Sequence, residues 1–140
     1  MKILLAVDGS ATGLSAVRHV VALSKSLKTP PAVTLLYADP PLAKAVALEL
    51  GTEGAAKYHA DNGEMALKKA RAALKRAGST FTERMVIGQP AATILEQAKS
   101  SRANLIVMGT HGHGALKSLM VGSVTQKVIS SSEIPVTVVR

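Results

Sequence analysis

Three glycines, Gly109, Gly112 and Gly122, with Ser123 directly behind the last, make up the segment best suited to holding a ligand. It reads Gly109-Thr110-His111-Gly112, nine residues, then Gly122-Ser123. Glycine lets backbone N–H groups approach phosphate oxygens with no Cβ in the way. A helix opening at Gly122-Ser123 adds free N–H groups and a dipole that favours an anion. Two glycine turns separated by a loop can thus hold a polyphosphate from two sides. A purely architectural reading stands level with this one: Gly109 and Gly112 turn the chain, and Ser123 with Gln126 forms a capping box. Asp8 is the other chemical candidate. It can act as a base or a metal-water ligand, or simply cap the Gly9-Ser10 turn.

Sharper catalytic readings fare worse. Thr110-His111-Gly112-His113 matches the T-x-G-H pattern of nucleotidyltransferases, but there it follows a first strand and here a fourth. A Walker A loop is ruled out because Leu116, not glycine, precedes Lys117-Ser118. His111 and His113 could begin a zinc site, yet no cysteine or nearby carboxylate completes it. His19 and His59 fall on expected helices and read as surface residues. An aromatic clamp for a flavin is missing.

The elements that must position these residues alternate. Ile3 to Val7 is all apolar, as a strand covered on both faces should be. Ser10 can cap the helix that follows, in which Ala16, Val20, Leu23 and Leu27 share one face. Val33 to Ala38 is a second strand. In residues 42–54, Ala43 to Leu50 could make a short helix and Gly51 and Gly54 bracket a flexible break, and the whole reads as an inserted loop or lid. A long helix is expected from Ala55 to Ala77, stopped by Gly78. Phe81 to Ile87 alternates and belongs at a sheet edge. Pro90 suits the first turn of a helix carrying Ile94 and Ala98. Leu105 to Met108, a helix from Ser123 to Ser131, and a last strand Val136 to Val139 complete the order.

Strands alternating with helices call for an α/β fold: a Rossmann-like, open, parallel five-stranded sheet with helices on both faces. The apolar first and fourth strands belong in the middle and the half-polar third at an edge, which strand order 3-2-1-4-5 satisfies. Its switch point lies between strands one and four, where such sheets place ligands. Asp8-Gly9-Ser10 and Gly109-Thr110-His111-Gly112 should therefore face each other across one crevice.

Composition narrows the classes further. The 140 residues fit a single domain spanning 1–140. No apolar run approaches the roughly 18 residues of a membrane span. Cysteine is absent, so disulfide and thiolate chemistry are excluded, and a cytoplasmic protein is the expectation. The net charge of +8 favours anionic partners. Its densest cluster, Lys68, Lys69, Arg71, Lys75 and Arg76, is interleaved with an alanine stripe and reads as a solvated helix face rather than a nucleic-acid patch. The aromatics that stack single-stranded bases are nearly missing.

The chain resembles the universal stress protein family, in its ATP-binding branch. The resemblance rests on G-x2-G-x9-G-[ST] from Gly109 to Ser123, the opening Ile3-Leu4-Leu5-Ala6-Val7-Asp8-Gly9-Ser10, the turn Gly88-Gln89-Pro90-Ala91, and the close from Ile134 to Arg140. It implies that Ala6, Val7 and Asp8 line an adenosine pocket with Ala38 as its apolar wall. Met108 and Gly109 would pass beneath the ribose and first phosphate, continued by His111 and Gly112. Gly122, Ser123, Val124 and Thr125 would contact the phosphates. It further implies ATP, or ADP or AMP, with Mg2+ or Mn2+ on the phosphates, and a homodimer joined through the last strand. Gly13, Asn104 and Ser131 depart from the family pattern outside the phosphate motif. The expected role is regulatory, with a slow ATPase or phosphotransferase as the rival. No group positions an attacking water, so the chain reads as a binding protein more than an enzyme.

Overall fold

The computed structural model describes residues 1–111 and 121–140. In chain order the elements are β1 (Lys2–Ala6), α1 (Ala11–Ser26), β2 (Ala32–Asp39), α2 (Lys44–Arg76), β3 (Phe81–Ile87), α3 (Pro90–Ser100), β4 (Leu105–Gly109), α4 (Ser123–Ser131) and β5 (Val136–Val139). The strands form one parallel sheet in the order β3-β2-β1-β4-β5, the expected order and one that satisfies the apolar patterning. Ile3 sits between Val33 and Leu105 in the register, which sets the C-terminal ends of β1 and β4 side by side.

Two apolar layers sandwich the sheet. Ile3, Leu5, Val33, Leu35 and Val107 point to the face covered by Val17 and Val20 of α1 and Leu67 and Leu74 of α2. Leu4, Leu36, Ile106 and Met108 point the other way, beneath Ile94 and Ala98 of α3 and Val128 of α4. The period-two alternation of a strand buried on both faces produces this division.

The region expected as a lid is helical. Ala, Leu and Glu are strong helix formers, and α2 begins at Lys44. Its backbone leaves helical geometry at Gly51, with φ 68° and ψ 178°, a conformation that favours glycine. The break and the option of a short helix before it were legible; that one helix runs on across Gly51 was not. Val46, Leu48 and Leu50 stay exposed there, so no buried stripe favoured helix over loop. Gly78, also at φ 68°, stops α2 as expected.

Candidate functional site

Ser10 caps α1 by accepting a hydrogen bond from Gly13 N–H at 3.1 Å, and its own N–H donates to Asp8 Oδ1 at 2.9 Å. Asp8 thus holds the turn after β1, the architectural role open to it. Across the switch point, the hydroxyls of Ser10 and Thr12 both donate to the His111 carbonyl. The two loops that topology placed opposite each other are therefore tied together.

Gly109 permits that closeness. A Cβ there would sit 2.6 Å from Thr12 Oγ1 and 2.7 Å from the Thr12 carbonyl carbon. The first glycine of the motif is thus required by helix–strand packing, whatever ligand it serves. Two bonds secure the far side: Gly122 N–H donates to the Thr110 carbonyl at 2.8 Å, and Thr125 Oγ1 donates to the Gly109 carbonyl at 3.0 Å. Gly122 is the N-cap of α4 at φ −63° and ψ 155°, with no side-chain cap. The Ser123–Gln126 capping box is not formed. At the first turn of any helix, N–H groups lack intrahelical acceptors, and here Ser123, Val124 and Thr125 of that turn line the switch-point crevice.

A cavity of about 610 Å³ opens between these loops. Eleven of the twelve expected site residues line it: Ala6, Val7, Asp8, Ala38, Met108, Gly109, His111, Gly122, Ser123, Val124 and Thr125. Gly112 lies outside the described residues, as does His113 of the pair considered for zinc and Lys117-Ser118. Sequence reasoning missed Gly13, Leu36, Tyr37, Pro40, Pro90 and Ile94, which also line it. The signal was available for Leu36 and Ile94, since core residues at the ends of elements flanking a switch point must wall it.

The cavity has two characters. Ala6, Leu36, Ile94 and Met108 belong to the apolar cluster beneath α3 and α4, and buried Ala38 lines the cavity with them. The α4 N-terminus, Asp8 and His111 give it a polar end. His111 Nδ1 bonds Thr110 Oγ1 at 2.8 Å, while its Nε2 is buried with no partner among the described residues. A buried ring nitrogen of that kind calls for a polar partner.

Behind the Tyr37 wall lies a polar cluster the sequence did not reveal. Asp39 is 2% exposed at the end of β2. It accepts hydrogen bonds from Tyr37 Oη at 2.8 Å and from Asn62 Nδ2 at 3.3 Å, and its Oδ2 pairs with His59 Nδ1. His59 is buried, not on the surface as expected. It falls in the row His59, Gly63, Leu67, Ala70, Leu74 that α2 turns toward the sheet. Burial above all, then the bond to Asp39 and its charge, push the Tyr37 hydroxyl well above the usual phenol range.

With fold and cavity defined, comparison with known proteins is informative. The universal stress protein family model matches residues 1–140, and the chain belongs to that family. Universal stress protein MJ0531 of Methanocaldococcus jannaschii is 32% identical over 143 residues, covering 99% of this chain and 81% of the relative. The structure of MJ0577, from the same organism, superposes with a TM-score of 0.80 at 30% identity, covering 99% of this chain and 94% of that one. A universal stress protein solved in complex with cAMP matches with a TM-score of 0.68 at 25% identity, covering 100% and 96%. Among the described residues, no helix is long and apolar enough to cross a membrane.

Proposed function

We propose that the cavity binds an adenine nucleotide, ATP foremost and ADP or AMP as shorter occupants, and that nucleotide state governs conformation or partner choice. The observation that carries this reading is an apolar wall and a helix N-terminus meeting in one cavity of about 610 Å³. That size lies within the roughly 300–1,000 Å³ usual for small-molecule sites. Ala6, Leu36, Ala38 and Met108 suit the faces of a base. The N–H groups of Ser123, Val124 and Thr125 suit phosphate oxygens. The Thr125 hydroxyl already gives its proton to the Gly109 carbonyl, so its backbone is the phosphate donor and its side chain fastens the loop. Asp8 is the carboxylate beside the site, and Mg2+ or Mn2+ would take most of its ligands from the phosphates. The cAMP held by a similar family member supports an adenine ligand.

Two copies pair through β5 in this reading. β5 hydrogen-bonds β4 on one side, and an open edge beside a four-residue apolar strand is an invitation to pairing.

Thermal shift tests the site. ATP with Mg2+ at ~100 times its dissociation constant should add about 2.7 kcal/mol. Unfolding entropy of about 2.1 cal/mol/K per residue gives ~0.3 kcal/mol/K for this chain, hence a rise of roughly 9 °C. Gly122→Val should fold, because its backbone is in the extended region open to any residue, yet lose the ATP response. A variant that keeps the full shift places the phosphates elsewhere. Phosphate release on the order of one per second would promote the ATPase instead.

A further inference from the structure

Two segments on one face of the sheet hold a charge equal to the whole net charge. Residues 9–31, which include α1, and residues 65–80, which end α2, hold eight of the seventeen Lys and Arg and none of the nine Asp and Glu. All other positions, the first part of α2 among them, balance at nine of each sign. Read alone, the α2 cluster resembled an ordinary solvated face. The fold sets α1, a basic helix with no acidic residue, alongside it.

The two helices meet where Leu14 of α1 shares a small hollow with Ala66, Lys69 and Ala70 of α2. From Leu14, the positions Arg18, Val21 and Lys25 follow at i+4, i+7 and i+11 on the same side of α1. Lys69, Ala73 and Arg76 form the matching row on α2. Both helices return from parallel strands and so run in the same direction, and the two rows flank one seam. Taking Leu14 level with Lys69, Arg18 lies ~6 Å further along, Arg76 ~10 Å and Lys25 ~16 Å, at 1.5 Å per residue. All four are exposed, and among the described residues none is in an ion pair. Exposed Lys28, Lys68 and Lys75 surround them, while Arg71 is committed to Glu64 and Glu83.

We infer that the α1–α2 seam binds the phosphate backbone of double-stranded nucleic acid irrespective of sequence. A duplex carries a charge about every 1.7 Å of axis, both strands counted. Roughly ten phosphates thus wind around each ~16 Å length, and flexible Lys and Arg side chains can reach those that face the seam without a fixed register. Single strands are held by aromatic platforms. Tyr37 and Phe81 are half-buried in the core on this side of the sheet, and no aromatic stands in either row. A membrane surface asks for aliphatic or aromatic side chains pressed below the headgroups. Met65 is the exposed large apolar residue of these two segments, and Val46, Leu48 and Leu50 belong to the other half of α2.

Fluorescence anisotropy with a labelled 20-base-pair DNA duplex tests this. At 50 mM salt the dissociation constant should be on the order of 10⁻⁶ M. A log–log salt slope of about −3.6 for four phosphates carries it to roughly 10⁻⁴ M at 150 mM, the weak end of the range of non-specific binders. Arg18→Gln with Lys69→Gln should reduce the slope by about two, and all four glutamine substitutions should abolish binding below ~10⁻⁴ M. If a multiple variant fails to fold, Lys69→Gln and Arg76→Gln singly should each remove about one from the slope. Lys127→Gln on α4, over the opposite face, should change nothing. Saturating ATP with Mg2+ should leave duplex binding intact, which separates the seam from the nucleotide cavity. The inference is overturned by no binding at ~10⁻⁴ M protein, by displacement with ATP, or by glutamine variants that bind like the parent. Tighter binding to a single-stranded 20-mer, or to phosphatidylserine–phosphatidylcholine vesicles, overturns it equally.

Discussion

Replacing His59 by alanine should destabilise the fold more than any surface substitution, although the residue lies far along the chain from the glycine motif. The change removes the imidazole from a carboxylate that is 2% exposed. Leaving a buried polar group short of a hydrogen-bond donor costs about 1–3 kcal/mol, and more when that group is a carboxylate. Asp39 would keep Tyr37 Oη at 2.8 Å and Asn62 Nδ2 at 3.3 Å, so a loss of about 3 kcal/mol applies. At ~0.3 kcal/mol/K this corresponds to a fall in Tm of roughly 10 °C. His59→Asn returns a neutral donor near the position of Nδ1 and should restore about half. Calorimetry on the parent, both variants, Asp39→Asn and the double variant closes a cycle whose coupling should exceed ~1 kcal/mol. A Tm drop under ~3 °C for His59→Ala, or additive effects, would show that the pair is solvated and contributes little. The ATP shift should persist in His59→Ala and weaken only severalfold, because Tyr37 lines the cavity while His59 does not.

Three further outcomes follow from the geometry. Thr125→Val is nearly isosteric but strips the Gly109 carbonyl of its hydroxyl donor, so calorimetry should show a loss of about 1–3 kcal/mol and ATP titration a weaker site. Of the two tyrosines, Tyr37 has a raised pKa, so in the fold it keeps its proton at pH values where an unfolded tyrosine, at about 10, has lost it. Its contribution to stability is whole below pH ~10 and declines above it, and ultraviolet titration should reach the Tyr37 phenolate only at higher pH or on unfolding. In β5, the carbonyls of Pro135 and Val139 accept from β4, so the intervening Val136 and Val138 direct their N–H and C=O groups to the open edge. Val138→Pro should therefore leave the β4 ladder whole yet yield monomers in light scattering, and a parent already monomeric at micromolar concentration would refute the dimer.

The sheet order was legible because burial on both faces leaves a sequence trace. Ile3–Val7 and Leu105–Met108 are unbroken apolar runs, whereas Phe81–Ile87 alternates, and the order 3-2-1-4-5 keeps the first two inside and the third at an edge. The cavity followed, since a switch point is a property of topology rather than of any residue. The Asp39–His59 pair was not legible, because its partners are joined by the sheet-to-helix return and each alone resembles a surface residue. His59 did stand in register with Leu67 and Leu74, and a polar residue on a core stripe signals a buried partner. The continuity of α2 was hidden for the opposite reason: Ala43 to Leu50 could be read as a short helix, but a stretch that buries no face has no periodicity to join it to the helix that follows.

The glycine motif poses a harder problem, because its spacing answers two demands at once. Gly109 lacks a Cβ because Thr12 and Gly13 N–H lie within 3 Å of where one would stand. That closeness brings the α1 N-terminus to the His111 carbonyl and shapes the cavity in the same step. A ligand-free protein of this fold would need the same glycine, so its presence cannot separate architecture from binding. Gly122 can, because its φ of −63° makes no demand for glycine and its N–H is satisfied by Thr110. In the binding reading, a side chain there meets a ligand approaching the N–H groups that open α4. Of the two positions, Gly122 is therefore the one at which substitution tests binding without first testing the fold.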